Sequence, residues 1–427
     1  MMQRRLWPVA LVVAGLALAG CGSAADKGTD KGTDKGSGTG KLVVWDWKSS
    51  DKTAVNFVAK AKADFAKKHP DVQLEFVAQP FDNYYTLLGA AIQAGKGPDV
   101  MLFNGGGQIR DRADALIPLD QYLAADKDRL AGWDAFSKDG KTYAAPITLQ
   151  GHPIYYNKTI YKKAGLDPDN PPATWDALVS ACATIKKKTK VPCFSLGNKE
   201  GYGIQFWMSG MGSGILTSAE YDDWIAGKRD WNSPDVKKLF ALWKEANDLG
   251  MNSAGPNSTA MFMDQYTKFE GGGGANVFGL MSDVGGWHEM NPIIGPDNLG
   301  VMLSPVITPG TTPSLAYDGG VGYGVAKWTK DPALAADLVR SLTSTDALTA
   351  YSSDAGAIAA DKSVKISGGG PAAAAISAEI PSGKPALHVA LSAKTQEVMG
   401  RLSQKLLSKD VTVDEAMKQL AAADQKG

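Results

Sequence analysis

The chain has 427 residues, of which 44% are hydrophobic and 21% charged, enough for two or three globular domains with a sizeable core. Its 45 Lys and Arg residues balance its 45 Asp and Glu residues, so the formal net charge is zero. This balance argues against a nucleic-acid binder, which carries a basic excess, and no nucleic-acid partner is expected.

Residues 1–20 have the three-part arrangement of a secretory signal peptide, with Arg4 and Arg5 before an apolar run over residues 9–18. That run is too short to span a bilayer about 30 Å thick. It ends in Leu-Ala-Gly-Cys21, which resembles a bacterial lipobox, in which the cysteine takes a diacylglyceryl group and becomes the new N-terminus. A plain signal peptide followed by an incidental cysteine is the alternative. We expect an exported protein, anchored by a lipid at Cys21 to the outer face of the cell membrane.

The anchor and its linker occupy residues 21–40, which repeat Asp-Lys-Gly-Thr and then become rich in Ser and Gly. Such a segment lacks the apolar surface needed to offset its ordering entropy and is predicted to be disordered. A flexible chain of this length reaches on the order of 25 Å. Its expected role is to keep the folded part near a membrane partner.

Two further cysteines, Cys182 and Cys193, are eleven positions apart. In an oxidising exported compartment they are predicted to form a disulfide, which stabilises by about 3 kcal/mol in the loop-entropy description. The chain has no Cys-x-x-Cys pair, and the histidine nearest to these cysteines is His152. No metal site and no cofactor are expected.

The folded part opens with alternating strand and helix patterns. Strands are predicted at residues 41–47, 72–77 and 98–103, and helices at residues 53–68, capped by Thr53, and 83–93. This order within about 60 residues predicts a parallel α/β sheet. Ligands of such sheets gather beyond the carboxyl ends of the strands, which here are residues 45–49, 79–82 and 104–108.

A second module begins near Leu149 and continues the alternation. A strand is predicted at residues 154–157, a helix at 158–164, and another helix after the N-cap Thr174. The later predicted elements are helices at 231–249, 332–342 and 411–423, and strands at 276–281 and 318–325.

Several segments, taken in order, resemble those of bacterial extracellular solute-binding proteins of family 1, the maltose-binding-protein type. Together they extend over nearly all of residues 41–427. The resembling segments are residues 42–47, 97–100, 140–146, 154–158, 164–166, 172–176, 285–287 and 319–324.

The resemblance implies an α/β fold of the periplasmic-binding-protein type (type II), with two discontinuous lobes, a hinge and a ligand cleft between them. The implied lobes are 41–148 with 319–360, and 149–318 with 361–427, so the chain crosses near Thr148, near residues 317–320 and near 360–370. The implied function is capture of a sugar or an oligosaccharide, followed by delivery to the permease of an ABC importer. A monomer is expected.

The resemblance and the strand ends together nominate a set of ligand-binding residues. The polar members offer hydrogen bonds to sugar hydroxyls, and the aromatic members offer flat faces. The set is Trp47, Ser49, Asp82, Asn104, Gln150, Tyr155, Trp207, Trp287, Asp318 and Gly319.

Some of these residues have simpler interpretations. Trp45 and Trp47 share a strand face, so one of them packs in the core as an alternative to binding ligand. Asp82 is otherwise the N-cap of its helix. Of Tyr155 and its neighbour Tyr156, one is buried and the other is the candidate for the cleft.

Trp287 follows two glycines, which suits an exposed loop, and it matches a family position whose indole stacks on sugar. The glycines at 105–107 are interpreted as a tight turn that lets a ligand approach the backbone. Gly105 and Gly106 replace an acidic loop of the maltose binders that the chain resembles, so maltose is not assumed as the ligand and a different or a smaller sugar is an open alternative.

An exported glycoside-active enzyme is the main alternative, because two acids such as Asp82 and Asp318 facing one cleft would resemble a glycosidase pair. A binder of a non-sugar polyol is a further alternative. Neither a zinc-protease helix motif nor a Gly-x-Ser-x-Gly motif is present, and the sequence favours a binding protein without enzymatic activity.

Overall fold

The computed structural model describes residues 40–366 and 368–425. The predicted signal peptide, Cys21 and the predicted linker, apart from Gly40, lie outside these ranges. Among the helices that the structure describes, none combines the length and the apolar character needed to cross a membrane.

The described chain contains strands β1 to β12, numbered in chain order. They are Lys41–Asp46, Gln73–Ala78, Val100–Asn104, Ser137–Lys138, Lys141–Thr142, Ala144–Pro146, Leu149–Gly151, Ile154–Asn157, Asn276–Phe278, Leu299–Met302, Tyr317–Gly319 and Val321–Val325.

Helices α1 to α15 are likewise numbered in chain order, and a π-helical turn at Met261–Gln265 precedes α9. The helices are Val55–Lys68, Phe81–Ala94, Gly107–Arg110, Lys158–Ala164, Trp175–Thr189, Gly203–Ile215, Ser218–Ile225, Pro234–Asp248, Tyr266–Glu270, Trp287–Ile294, Pro332–Leu342, Thr345–Ala355, Gly370–Glu379, Ala393–Ser408 and Val413–Asp424.

The first lobe is built on a five-stranded sheet in the order β2-β1-β3-β12-β6. Strand β1 pairs in parallel with both β2 and β3, as the alternating pattern predicts. Strand β12 comes from much later in the chain and pairs antiparallel with β3. Helices α1, α11 and α12 pack together on this lobe, and Leu42, Val44, Val100 and Leu102 of β1 and β3 are buried in the same core.

The second lobe is built on a smaller antiparallel sheet in the order β10-β8-β9. Helices α6, α8, α14 and α15 pack with one another beside it. The predicted disulfide between Cys182 of α5 and Cys193 is present. Thr174 caps α5 as predicted, because its hydroxyl accepts the Ala177 N–H at 3.3 Å.

Three chain segments pass side by side between the two sheets. Strands β7 and β11 pair antiparallel, the Leu149 N–H donates to the Ile358 carbonyl at 2.7 Å, and the Ala360 N–H donates to the Ile147 carbonyl at 3.0 Å. These are the regions in which the resemblance implies chain crossings. The exact division of the chain between the lobes stays a prediction.

The beginnings of α1 and α2 differ from the expectation. A 3-10 turn at Lys52–Ala54 precedes α1, so Ala54 instead of Thr53 is the N-cap and no side chain caps the helix. This tighter turn has three residues per turn instead of 3.6, and Val55 at its end is 58% exposed. Helix α2 begins at Phe81 with Pro80 as N-cap, which rules out the alternative in which Asp82 is the N-cap.

Candidate functional site

The loop that follows β1 is organised by the buried carboxylate of Asp46. Its Oδ1 accepts the N–H groups of Lys48 at 3.0 Å and Ser49 at 2.7 Å, while Oδ2 accepts the Tyr323 hydroxyl at 3.0 Å. These bonds turn the chain sharply at the carboxyl end of the strand. Trp47 and Ser49, both predicted site residues, are thereby held half-buried at the edge of the first lobe.

A continuous set of aromatic rings runs from this loop across to the second lobe. We call it the aromatic belt. Most of its members are half-buried, as expected for groups that line a cleft. Its members are Trp47, Phe81 and Tyr85 from the first lobe and Tyr202, Phe206 and Phe262 from the second.

The ring contacts of Phe81 connect the two halves of the belt. Its centroid lies 5.3 Å from that of Trp47, 6.4 Å from that of Tyr202 and 6.1 Å from that of Phe262. The last two distances cross between the lobes. The structure therefore has a closed arrangement in which aromatic rings from both lobes are in contact, edge-to-face or tilted, at separations typical of favourable ring pairs.

Polar groups surround the belt. Burial and the neighbouring carboxylates of Asp82 and Glu200 raise the pKa of Tyr202. The Asn104 N–H donates to the Tyr85 hydroxyl at 2.9 Å. Of the predicted residues, the structure thus brings Trp47, Asp82 and Asn104 to the same place, where carboxylate and amide groups border flat apolar faces.

A buried ion pair joins the lobes beside the belt. Lys48 Nζ contacts Asp283 Oδ2, and each side chain is only 8% exposed. Asp283 also accepts the Tyr351 hydroxyl at 3.1 Å and the amide of the predicted site residue Gln150 at 3.1 Å. Burial alone would lower the pKa of Lys48, but Asp283 and Tyr351 raise it overall, so the lysine is held charged.

A segment of the second lobe packs against the glycines that follow Asn104. A Cβ on Gly106 would lie 2.5 Å from the carbonyl oxygen of Val389, and one on Gly107 would lie 2.4 Å from that of Leu391. The Ala393 N–H donates to Asp111 of the first lobe at 2.8 Å. The expectation that a ligand approaches these glycines is therefore corrected, because the chain's own backbone does so. We call this contact the glycine seam.

Asp318, another predicted site residue, accepts the Ala386 N–H at 2.6 Å next to the glycine seam. Burial raises the pKa of its carboxyl to about 7, against the opposing effects of this hydrogen bond and of Arg110. The carboxyl thus resists ionisation when the protein is folded.

This raised pKa predicts a pH dependence of stability. Because the folded state favours the protonated carboxyl, the free energy of unfolding should fall as the pH rises from about 4 to about 7, by at most about 1.4 kcal/mol per pH unit. Urea unfolding at several pH values, compared between the wild type and Asp318→Asn, isolates this contribution. Identical pH profiles for the two proteins would contradict it.

Three predicted aromatic site residues are core residues instead. Trp207 is 2% exposed and donates its indole N–H to the Leu239 carbonyl at 2.8 Å. The hydroxyl of Tyr155 donates to the Leu280 carbonyl at 2.8 Å and accepts the Trp287 N–H at 3.2 Å. Both β8 tyrosines are buried, so neither fits the expectation of one in the cleft.

The two glycines before Trp287 suggested that this residue lies on an exposed loop, but it does not. It is the first residue of α10, is 4% exposed, and its ring lies against Gly369 just before α13. Gly319 is also a packing residue, since a Cβ there would lie 2.3 Å from the Gly132 carbonyl oxygen. We correct the assignments of Trp287 and Gly319 accordingly.

Several residues of the site were not nominated from the sequence. Phe81 and Tyr85 had a usable signal, because they flank the nominated Asp82 immediately after β2. Phe262 lies in the π-helical turn, whose five-residue hydrogen bonding leaves no periodic signature in the sequence. The pairing of Lys48 with Asp283 joins positions 235 residues apart, and only the fold brings them together.

Comparison with known proteins gives the same picture of the fold. Residues 47–349 match the profile of the family described as bacterial extracellular solute-binding protein. A solved chitin oligosaccharide binding protein superposes with a TM-score of 0.79 at 20% sequence identity, over 90% of this chain and 98% of that one.

Curated relatives match over a shorter stretch. The melibiose/raffinose/stachyose-binding protein of Bacillus subtilis (strain 168) is 25% identical over 303 residues, which is 69% of this chain and 67% of the relative. A protein of Brucella abortus (strain 2308), described as a binding protein, is 29% identical over 61% of this chain. The match spans only 59% of that relative's own length.

Proposed function

This chain belongs to the bacterial extracellular solute-binding proteins, and from that premise we propose that it captures a sugar or an oligosaccharide between its two lobes. The captured solute is delivered to the membrane subunits of an ABC importer. Closure of the lobes around the solute is the signal that the importer reads, since a ligand that binds the closed state favours it.

The aromatic belt is the observation that carries this proposal. Its rings offer flat apolar faces to the C–H faces of a sugar, and Asp82, Glu200 and Asn104 offer partners for the hydroxyls. Because Phe81 of one lobe meets Tyr202 and Phe262 of the other, a ligand held by the belt contacts both lobes at once. A sugar matches this combination better than a small polyol, which has no ring face.

The proposal extends to the N-terminal segment. The lipobox-like Leu-Ala-Gly-Cys21 motif supports a lipid anchor at the outer face of the cell membrane, with a monomeric binding protein attached to it. Mass spectrometry of the protein purified from its host tests the anchor. A mature N-terminus other than lipid-modified Cys21 would contradict it.

The family consists of binding proteins, and we propose no enzymatic activity for this chain. The glycoside-active alternative depends on Asp82 and Asp318 facing one cleft, but Asp82 borders the aromatic belt whereas Asp318 lies next to the glycine seam, where it accepts the Ala386 N–H. Overnight incubation with labelled oligosaccharides and thin-layer analysis separates the two functions. Product formation would contradict the binding-only proposal.

A thermal-shift screen tests the substrate class. The compounds are raffinose, stachyose, maltose, a chitin oligosaccharide and, as a polyol control, glycerol 3-phosphate. A ligand at about 100 times its dissociation constant stabilises the folded protein by about 2.7 kcal/mol. If a wider set of carbohydrates also leaves the melting temperature unchanged, the proposed substrate class is wrong.

Replacing Phe262 by alanine should weaken binding of the best sugar from this screen about tenfold or more, since one stacking ring is lost. The melting temperature of the ligand-free protein should change little, because Phe262 is only half-buried. Isothermal titration calorimetry measures the affinity. Met263→Ala is the matched control, as Met263 lies in the same π-helical turn but is 73% exposed; equal losses for both variants would contradict a specific role of the ring.

A further inference from the structure

The buried pair Lys48–Asp283 is unusual in its position. Lys48 lies between Trp47 and Ser49 in the loop after β1, and Tyr351 lies in α12, so both belong to the first lobe. Asp283 follows β9 of the second lobe and is held at a φ of +45°, a conformation that few residues other than glycine adopt. Two first-lobe groups thus meet on one second-lobe carboxylate.

The loop that carries Asp283 is also bonded to two of the chain crossings. The Ser282 N–H donates to the side chain of Gln150 in β7 at 3.2 Å. The Ile358 N–H, in the third crossing, donates to the Ser282 hydroxyl at 2.6 Å. The ion pair therefore connects the loop of Trp47 with the segments that the lobes rotate about.

Burial gives the pair different free energies in the closed and open arrangements. Moving two charges out of water is costly, and the cost is offset only when each charge is paired and hydrogen-bonded. In the closed arrangement Asp283 accepts hydrogen bonds from Lys48, Tyr351 and Gln150. An open arrangement that separates the two lobes at this point would let water solvate both charges. Loss of Lys48 would leave a buried carboxylate without its cation, a penalty confined to the closed arrangement.

We infer that the Lys48–Asp283 pair is an interlobe lock, which stabilises the closed arrangement and positions the Trp47 loop relative to the hinge. This inference rests on the proposed function, because closure matters only for a protein that encloses its ligand. Lys48 is a positioning residue and needs no contact with the ligand. The lock raises affinity by increasing the fraction of molecules in the binding-competent arrangement.

Hydrogen–deuterium exchange of the full chain tests the lock with no ligand added. The reporter is the segment 389–393, where the Ala393 N–H donates across the cleft to Asp111. For Lys48→Met we expect the Ala393 amide to exchange about tenfold faster or more, because the closed fraction falls. Amides of β3 and β8, inside the two lobes, should keep wild-type rates.

Arg340→Met is the matched control. Arg340 forms ion pairs with Asp126 and Asp337, all within the first lobe, so its loss should leave the 389–393 segment protected. The double variant Lys48→Met/Asp283→Asn removes both charges, and its exchange should lie between those of the wild type and Lys48→Met. If Lys48→Met fails to fold, the exchange of the double variant is compared with that of the wild type instead.

Wild-type exchange at 389–393 in Lys48→Met would overturn the inference. An equal increase in β3 and β8 would also overturn it, because the pair would then stabilise the fold and not the closed arrangement. Since no sugar is present, these outcomes are independent of the thermal-shift screen. If no carbohydrate shifts the melting temperature but the 389–393 segment of Lys48→Met exchanges faster, the proposed substrate class is wrong. The inference about the Lys48–Asp283 pair then still holds.

Discussion

Replacing Gly107 by alanine should weaken sugar binding about hundredfold while leaving the melting temperature of the ligand-free protein nearly unchanged. A Cβ at this position would lie 2.4 Å from the Leu391 carbonyl oxygen and 2.7 Å from the Ala393 nitrogen. Both atoms are backbone of the second lobe and cannot move aside as a flexible side chain would. The clash exists only when the lobes are closed, so each lobe keeps its own packing.

Isothermal titration calorimetry with the best sugar from the screen measures the loss, and small-angle X-ray scattering reports whether the lobes stay apart. Gly89→Ala is the control, because Gly89 lies in α2 and a Cβ there would meet nothing within 4 Å. It should bind like the wild type. Wild-type affinity in Gly107→Ala would mean that binding does not require the glycine seam.

Replacing Trp287 by alanine should lower the free energy of unfolding by about 3–5 kcal/mol, the usual cost of deleting a large buried aromatic side chain. The ring is 4% exposed and lies against Gly369. The ligand-stacking role that the family resemblance implies would instead give a loss of affinity at unchanged stability. Urea unfolding monitored by circular dichroism decides between the two.

Trp287→Phe refines this test. Within the described residues 40–366 and 368–425, the indole N–H of Trp287 is buried and has no hydrogen-bond partner, which is itself unfavourable. Phenylalanine removes this group but retains an aromatic ring, so it should cost much less than alanine. If alanine leaves stability unchanged and abolishes binding, Trp287 belongs to the cleft after all.

The sequence was sufficient for much of the fold because local signals and tertiary packing agree there. Strand β1, predicted from an apolar run, and strand β2, predicted from an alternating pattern, pair in parallel as predicted. Thr174 became an N-cap because its hydroxyl has an amide to bind one turn ahead. The start of α1 was missed, since a preceding 3-10 turn gives no distinct pattern and shifts the buried face away from Val55.

The site was predicted less well, for a physical reason. Trp47, Asp82 and Asn104 were nominated because strand ends in a parallel sheet converge at one edge, and the structure does place them together; their role in binding stays a prediction. An aromatic residue, however, has the same sequence signal whether it lines a cleft or fills a core. Trp207 and Trp287 were buried by the way their helices pack, whereas Phe262 was carried to the cleft by a π-helical turn.

The glycine seam has a consequence for how such a protein diversifies. At Gly107 the fit depends on backbone atoms of Leu391 and Ala393, not on their side chains. Substitutions in the aromatic belt would alter which solute is held, yet they would leave this backbone-to-backbone fit as it is. Ligand preference and lobe closure therefore depend on separate sets of residues and can change independently.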